Sequence, residues 1–279
     1  MPAKAGIEYS RASALNLKRR KILDPRLCRD DAEGEMNQVR ILLINPNTTA
    51  SITERMAAYA HDVIGGAVTF VPVTGRFGAR YISSRAAAAI AAHAALDAMA
   101  EHGEGCDAVY LACFGDPGLA ALKEVSPVPV TGMAEASCIE AAREGRRFAI
   151  VTGGALWKPM LQEFVATLGL SQQLASIRTI APTGDQIATD PDAALALLAD
   201  ACAACANDDG ADVVILGGAA LAGLAQRIQP RVPVPLLCSV ATGASTVVAA
   251  AQAGRRLAKS APALVSVGLS PSLGKLLGG

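Results

Sequence analysis

The stretch Gly105-Cys106-Asp107-Ala108-Val109-Tyr110-Leu111-Ala112-Cys113-Phe114-Gly115-Asp116-Pro117-Gly118-Leu119 decides the fold. Its apolar run, Ala108 to Ala112, shows no polar alternation and is cut off by Gly115-Asp116-Pro117-Gly118. That pattern predicts a strand buried on both faces, of the kind found in parallel sheets. Cys113 falls where the strand ends, and Gly115, Asp116 and Gly118 form the turn into an apolar helix. In open α/β sheets ligands meet the protein at the carboxyl ends of strands. A thiol there is better placed for chemistry than a core cysteine.

The same stretch occurs a second time. Gly210-Ala211-Asp212-Val213-Val214-Ile215-Leu216-Gly217-Gly218-Ala219-Ala220-Leu221-Ala222-Gly223-Leu224 repeats its spacing, with Asp107 on Asp212, Leu111 on Leu216, Gly118 on Gly223 and Cys113 on Gly218. Each copy runs through a helix into a Val-Pro-Val strand, Val128-Pro129-Val130 and Val232-Pro233-Val234. Two similar lobes facing one another are expected, with a thiol on one side only.

Size and composition narrow the classes. The chain has 279 residues, 52% hydrophobic and 4% aromatic, enough for one or two cores. A formal net charge of zero argues against an electrostatic nucleic-acid binder. No apolar segment reads as membrane-spanning, since the Ala-rich run from Ala86 to Ala95 is too short. Seven cysteines in no regular framework point to a reducing compartment, hence a cytoplasmic location. Cys202 and Cys205 sit at i, i+3 in a predicted helix with no histidine nearby, and read as small apolar fillers rather than metal ligands. His61, His93 and His102 fall on predicted helices or a helix end and read as surface residues.

Taken in order, Met1 to about Gln38 sustains no apolar period and carries the basic run Lys18-Arg19-Arg20-Lys21. No apolar core follows those charges, so a secretory signal is not expected. The segment reads as a disordered extension, or as the product of an upstream start with Met36 as the natural beginning; a surface-binding basic arm is the weaker alternative. The fold proper opens with the strand Val39–Ile44, then Asn45-Pro46-Asn47-Thr48-Thr49. Thr48, Thr49 or Ser51 is expected to cap the helix beginning near Ile52, whose amides suit a carboxylate or imide oxygen. Arg147 to Gly154 echoes Arg40 to Asn47, with Asn45 on Thr152. Val68–Val73 reads as an edge strand because of Pro72. The loop Gly75–Ser84 holds Arg76, Phe77, Arg80 and Tyr81, and either covers a small anionic or polar substrate or is a solvated connection. The helix following Gly132 is predicted from Ala136 to about Glu144, and lobe two continues with Trp157–Leu168, Ile177–Ile180, a helix start at Thr189-Asp190-Pro191, Ala193–Ala206, and a return helix from Ala241 to Lys259. Strands alternating with helices through two repeats give an α/β fold of two pseudo-symmetric lobes, each a parallel-type sheet flanked by helices. The expected division is 1–38 as extension, 39–133 plus 240–260 as the first lobe, and 134–239 as the second.

Three separated motifs carry a resemblance over roughly Val39 to Gly254. Arg40-Ile41-Leu42-Leu43-Ile44-Asn45-Pro46-Asn47-Thr48 resembles the opening of the aspartate/glutamate/hydantoin racemase superfamily. Ala112-Cys113-Phe114-Gly115-Asp116-Pro117-Gly118-Leu119 is similar to its first cysteine motif, in the hydantoin and allantoin racemase branch. Leu216-Gly217-Gly218-Ala219-Ala220-Leu221-Ala222-Gly223-Leu224 is similar to the second, which in that branch normally reads Leu-Gly-Cys-Ala-Gly-Met. The resemblance implies two lobes holding substrate between two cysteines, which work from opposite faces of a stereocentre without cofactor or metal. It implies that Cys113 is the first of these residues, Asn45 the first-strand asparagine, and Thr152 the second-lobe threonine that helps bind carbonyl groups.

The departure is Gly218, which stands where the second cysteine belongs. Arylmalonate decarboxylases of the same superfamily also keep one cysteine, but the other one. The expected activity is therefore a cofactor-independent racemase or isomerase acting beside a carbonyl of a hydantoin-, allantoin- or amino-acid-like substrate, with Cys113 as acid/base. A single-cysteine decarboxylase or lyase, a non-catalytic ligand-binding relative, and a structural Cys113 beside a protein interface stand as alternatives. Expected substrate contacts are Asn45, Asn47, Thr48, Phe114, Thr152, Gly217, Gly218 and Ala219, with the Gly217-Gly218 amides as an oxyanion hole. Cys113 becomes a competent base only if its surroundings lower its pKa, as helix N-termini do. Asp116 reads as a turn residue ahead of a substrate contact, and Trp157 as packing ahead of stacking. The expected partners are a small-molecule substrate and further copies of the chain in a homo-oligomer, with neither nucleic acid nor membrane.

Overall fold

A computed structural model describes residues 38–66, 68–180, 191–254 and 265–278. The expectations for the N-terminal extension, for Thr189 and Asp190, and for the return helix beyond 254 concern residues outside that set. Two four-stranded parallel sheets form. The first contains β1 (Val39–Asn45), β2 (Val68–Thr74), β3 (Ala108–Leu111) and β4 (Val130–Gly132) in the order β2-β1-β3-β4. The second contains β5 (Phe148–Gly153), β6 (Leu174–Ile180), β7 (Val213–Gly217) and β8 (Leu236–Cys238) in the order β6-β5-β7-β8, the same topology repeated. Pro72 lies in the edge strand β2, where its missing N–H breaks no ladder.

The apolar runs work as expected of strands covered on both faces. Ile41, Leu43, Ala108 and Tyr110 join a core that continues into the second sheet through Ile150, Ile215 and their neighbours. Leu42, Ile44, Val109 and Leu111 face the other way, into a smaller core. Ile41 to Ile44 are fully buried, each contributing about 1.5–3 kcal/mol by transfer from water.

The helices are α1 (Ala50–Ile64), α2 (Arg85–His102), α3 (Leu119–Val125), α4 (Met133–Ala141), α5 (Trp157–Thr167), α6 (Pro191–Asn207), α7 (Leu224–Ile228), α8 (Ser239–Gln252) and α9 (Pro271–Gly278). From the far end of the second repeat, α8 packs on β1, β3 and β4 and on α1 and α4. Buried Tyr110 donates its hydroxyl to the Val240 carbonyl of α8 at 3.1 Å, which satisfies its polar tip.

Several elements depart from expectation. Helix α4 starts at Met133, not Ala136, because its capping acceptor comes from another loop: Asp116 accepts from the amides of Ala134 (3.0 Å) and Glu135 (2.7 Å). Thr49 takes the N-cap position of α1, but its hydroxyl goes to the Arg80 carbonyl at 2.9 Å. The proline equivalent to Pro129 is Pro235, not Pro233: Val109 N–H donates to the Pro129 carbonyl and Val214 N–H to that of Pro235. Val232-Pro233-Val234 therefore precedes its strand. Helix α9 was not expected; it packs on α2, where Ser270 donates to buried Asp97 at 2.6 Å.

Candidate active site

The carboxyl ends of β1, β3, β5 and β7 converge on a cleft of about 550 Å³. Asn45, Asn47, Cys113, Phe114, Thr152, Gly217, Gly218 and Ala219 all line it. Thr48 does not, and its amide donates to the Ala79 carbonyl at 3.2 Å. A more open cavity of about 410 Å³, with Glu140, Gln226, Cys238 and Thr242 in its wall, contains none of the expected site residues.

The β1–α1 turn builds one wall from its own side chains. Buried Asn45 donates to Asn47 Oδ1 and Thr53 Oγ1, each at 2.9 Å, and the Thr53 and Thr74 hydroxyls meet at 2.7 Å. Asn47 Oδ1 also accepts from the Thr49 amide at 2.9 Å. This network holds the Asn45 amide group rigidly at the cleft edge.

Two aromatic rings cross between the lobes onto glycines. A Cβ on Gly217 would lie 2.3 Å from the Phe114 ring, and one on Gly115 would lie 2.4 Å from Trp157. Any side chain at either glycine would displace a ring. Trp157 therefore packs, as expected, but it also lines the cleft. Opposite Cys113's wall, the Thr152 hydroxyl donates to the Gly217 carbonyl at 2.7 Å, and the Gly218 amide to Ser239 Oγ at 3.2 Å. The expected Gly217-Gly218 oxyanion hole is corrected on this point, because the Gly218 donor is already engaged. The next amides, of Ala219 and Ala220, have no acceptor among the described residues.

Cys113 is the one cysteine among the described residues that is not buried; Cys106, Cys138, Cys202, Cys205 and Cys238 all are. Cys238 does end a strand, β8, yet lies outside the cleft lining. Burial, and then the Asp116 carboxylate, push the Cys113 thiol well above the ordinary thiol range. A lowered pKa from the nearby helix start is thus not what the surroundings produce; they favour the thiol over the thiolate. Asp116 is buried; desolvation carries its carboxyl up to about 7 against the pull of the Ala134 and Glu135 amides. It ties the cysteine loop to α4, and its own amide donates to the Cys113 carbonyl at 3.0 Å. Among the described residues no three His, Cys, Asp or Glu side chains converge as a metal site, and no helix is long and apolar enough to cross a membrane.

The loop before α2 supplies residues that motif matching passed over. Its two arginines part company. Arg76 binds Asp97 at 2.7 Å and Glu101 at 3.4 Å, while Arg80, with Tyr81 and Ile82, lines the cleft. Tyr81 donates its hydroxyl to the Gly153 carbonyl of the second sheet at 3.2 Å. The arginine-and-aromatic composition of Gly75–Ser84 was the available signal.

Comparison with known proteins agrees with this geometry. Hydantoin racemase from Pseudomonas sp. (strain NS671) is 29% identical over 222 residues, covering 79% of this chain and 89% of that protein. Hydantoin racemase from Paenarthrobacter aurescens is 32% identical over 201 residues, 71% of this chain and 85% of the other. The crystal structure of allantoin racemase from Pseudomonas fluorescens superposes with a TM-score of 0.78 at 29% identity, covering 82% of this chain and 99% of that one. Arylmalonate decarboxylase, at 16% identity and a TM-score of 0.53 over 76% of this chain and 92% of its own, shares the fold. Residues 41–247, which contain every cleft residue named above, match the family described as Asp/Glu/Hydantoin racemase, and the chain belongs to that family.

Proposed function

We propose that the protein is an enzyme that moves a proton at a carbon adjacent to a carbonyl, in a hydantoin-, allantoin- or amino-acid-like substrate, with Cys113 as the acid/base. The observation that carries this reading is the placement of Cys113: a half-buried cysteine at a strand end, lining a cleft walled by both lobes. The substrate carbonyl would face the Ala219 and Ala220 amides, which stabilise negative charge as an enolate forms. With a thiolate as base, Cys113 would take the carbon-bound proton and become a thiol. Water giving a proton to the opposite face would make the other enantiomer, the hydroxide left behind taking the Cys113 proton and regenerating the thiolate, whereas return from the same thiol would restore the first.

A second reading, a single-thiol decarboxylase or lyase, is favoured by two specific features. The surroundings of Cys113 favour its thiol form, and Gly218 offers no side chain across the cleft. In that chemistry a substituted malonate loses carbon dioxide, the enolate takes the Cys113 proton on one face, and the thiolate is reprotonated by water. Both readings are tested in heavy water with hydantoins, allantoin, amino acids and substituted malonates. Deuterium incorporation that disappears in Cys113→Ala, with ligand affinity retained, is expected. Loss of optical rotation would then identify a racemase, and release of carbon dioxide a decarboxylase. Binding with no exchange and no turnover across the panel would leave a non-catalytic ligand-binding protein.

A further inference from the structure

We infer that the substrate carries a carboxylate, bound by Arg80 at the cleft wall, so that Arg80 determines specificity. The inference rests on the proton-transfer reading and narrows its substrate class. Arg80 is the only charged residue in the cleft lining among the described residues. The arginines on either side of it in sequence are both committed, Arg76 to Asp97 and Glu101, and Arg85 to Glu163. The Arg80 guanidinium has no ion pair or hydrogen bond among the described residues.

Its backbone, by contrast, is held on both sides. The Thr48 amide binds the Ala79 carbonyl at 3.2 Å, Thr49 Oγ1 donates to the Arg80 carbonyl at 2.9 Å, and Tyr81 bridges to Gly153 at 3.2 Å. The side chain itself is exposed, so a held backbone offers a planar donor fork that can turn to meet a carboxylate entering the cleft. The rest of the cleft agrees in sign. Among the described residues no Asp or Glu lines it, and the Ala219 and Ala220 amides on the opposite wall add donors without acceptors. Ile52, Ile82, Phe114, Trp157 and Leu221 line the same cleft and offer apolar surface for the rest of such a ligand. The matching substrate is a small compound with an acidic carbon beside a carbonyl, an apolar or ring portion, and a separate carboxylate.

The test compares hydantoin-5-acetic acid with its neutral amide, which differ at the carboxylate alone. Exchange of the C5 proton is measured for both on the wild type, Arg80→Gln and Arg80→Lys. The wild type is expected to prefer the acid by at least about tenfold in kcat/KM, and Arg80→Gln to shrink that ratio by about 10- to 100-fold, the range for one charge-assisted contact. Arg80→Lys should keep part of the preference, and added salt should erode it in the wild type. A wild-type ratio near one, or a ratio that Arg80→Gln leaves unchanged, overturns the inference while the proton-transfer reading stands. If neither compound exchanges, calorimetry decides separately. Arg80-dependent binding of the acid over the amide upholds the anion site without the proposed chemistry, and equal binding or none overturns it.

Discussion

The ends of β3 and β7 share one frame and present different chemistry. Before each strand an aspartate clamps the neighbouring strand: Asp107 accepts from the Arg40 amide and Asp212 from the Arg147 amide, both at 2.8 Å. After each strand a left-handed glycine, Gly118 or Gly223, starts the next helix at φ 84° or 78°. Between these shared points the two copies part. The first presents a cysteine and sends Asp116 to cap α4, whereas the second has Leu221 at the aspartate's position and Gly218, at φ 128°, at the cysteine's. A duplicated scaffold thus keeps its framing contacts while the few residues at the cleft diverge.

The largest effect that can break this comparison is at the thiol itself. Cys113→Ala is expected to lower α-proton exchange by about 10²–10⁴-fold, the usual range for losing one acid/base, with ligand affinity kept. NMR exchange rates beside calorimetric binding check it, and undiminished exchange would remove Cys113 from the chemistry. Gly218→Cys attempts to restore the symmetry. A Cβ there meets nothing nearer than Thr152 Oγ1 at 3.9 Å, so space is available. The backbone is the obstacle, since φ 128° with ψ 146° is glycine territory and a side chain there costs about 1–3 kcal/mol. The variant should be less stable by that amount in denaturant and should create or raise racemisation, read by polarimetry. Cys113→Ala should abolish that gain. Unchanged racemisation in a folded Gly218→Cys protein would show that the missing thiol does not limit the reaction.

Most of the frame was readable because it is local. Val109 to Leu111 and Val213 to Leu216 are apolar without alternation, so burial between helices followed, and Pro72 marked the edge. The repeat spacing placed Cys113 and Gly218 in one cleft. What escaped depends on partners distant in sequence. Asp116 looked like a turn residue, and the amides it caps lie 18 and 19 residues on, so the start of α4 was misplaced with it. Pro233 and Pro235 offer equally good matches to Pro129, and only the ladder distinguishes them. Thr48 and Thr49 are chemically alike neighbours, yet only Thr49 reaches the lining. Helix α9 contains Gly274 within eight residues, a weak local signal, and it is anchored through Ser270 to Asp97, 173 residues away.

Asp116 itself provides a smaller and more discriminating test of the asymmetry. Asp116→Asn leaves at least one of the Ala134 and Glu135 amides without an acceptor, at about 1–3 kcal/mol. The pH dependence carries the sign. The folded-state value near 7 lies above the ordinary 3.8, so the fold favours the protonated form. That contribution is fully present below pH 3.8 and is lost as pH rises towards 7. Denaturant titrations from pH 4 to pH 8 should therefore show the stability gap between wild type and Asp116→Asn narrowing as pH rises. A gap that widens instead would mean that the α4 amides outweigh burial and hold Asp116 as a carboxylate.

The smallest effect tests the symmetric half of the comparison. Asp107 and Asp212 each form a two-bond clamp. The carboxylate accepts from the strand neighbour's amide, and the aspartate's own amide donates to that neighbour's carbonyl, at 2.7 Å for Asp107 and 2.8 Å for Asp212. Replacement by alanine removes only the side-chain bond. The orphaned amide lies where the side chains are exposed, so water replaces much of what is lost, and each substitution should cost about 0.5–1.5 kcal/mol. Because the two clamps sit in separate sheets, the costs should match within about 0.5 kcal/mol and add in the double variant. Both lie at the amino ends of their strands, away from the cleft, so proton exchange per folded molecule should not change. Unequal costs would show that the repeated geometry hides unequal energetics, with one sheet carrying more of the fold. A loss of exchange in Asp107→Ala alone would show that the position of Cys113 is set from the far end of β3 as well as by Asp116 beside it.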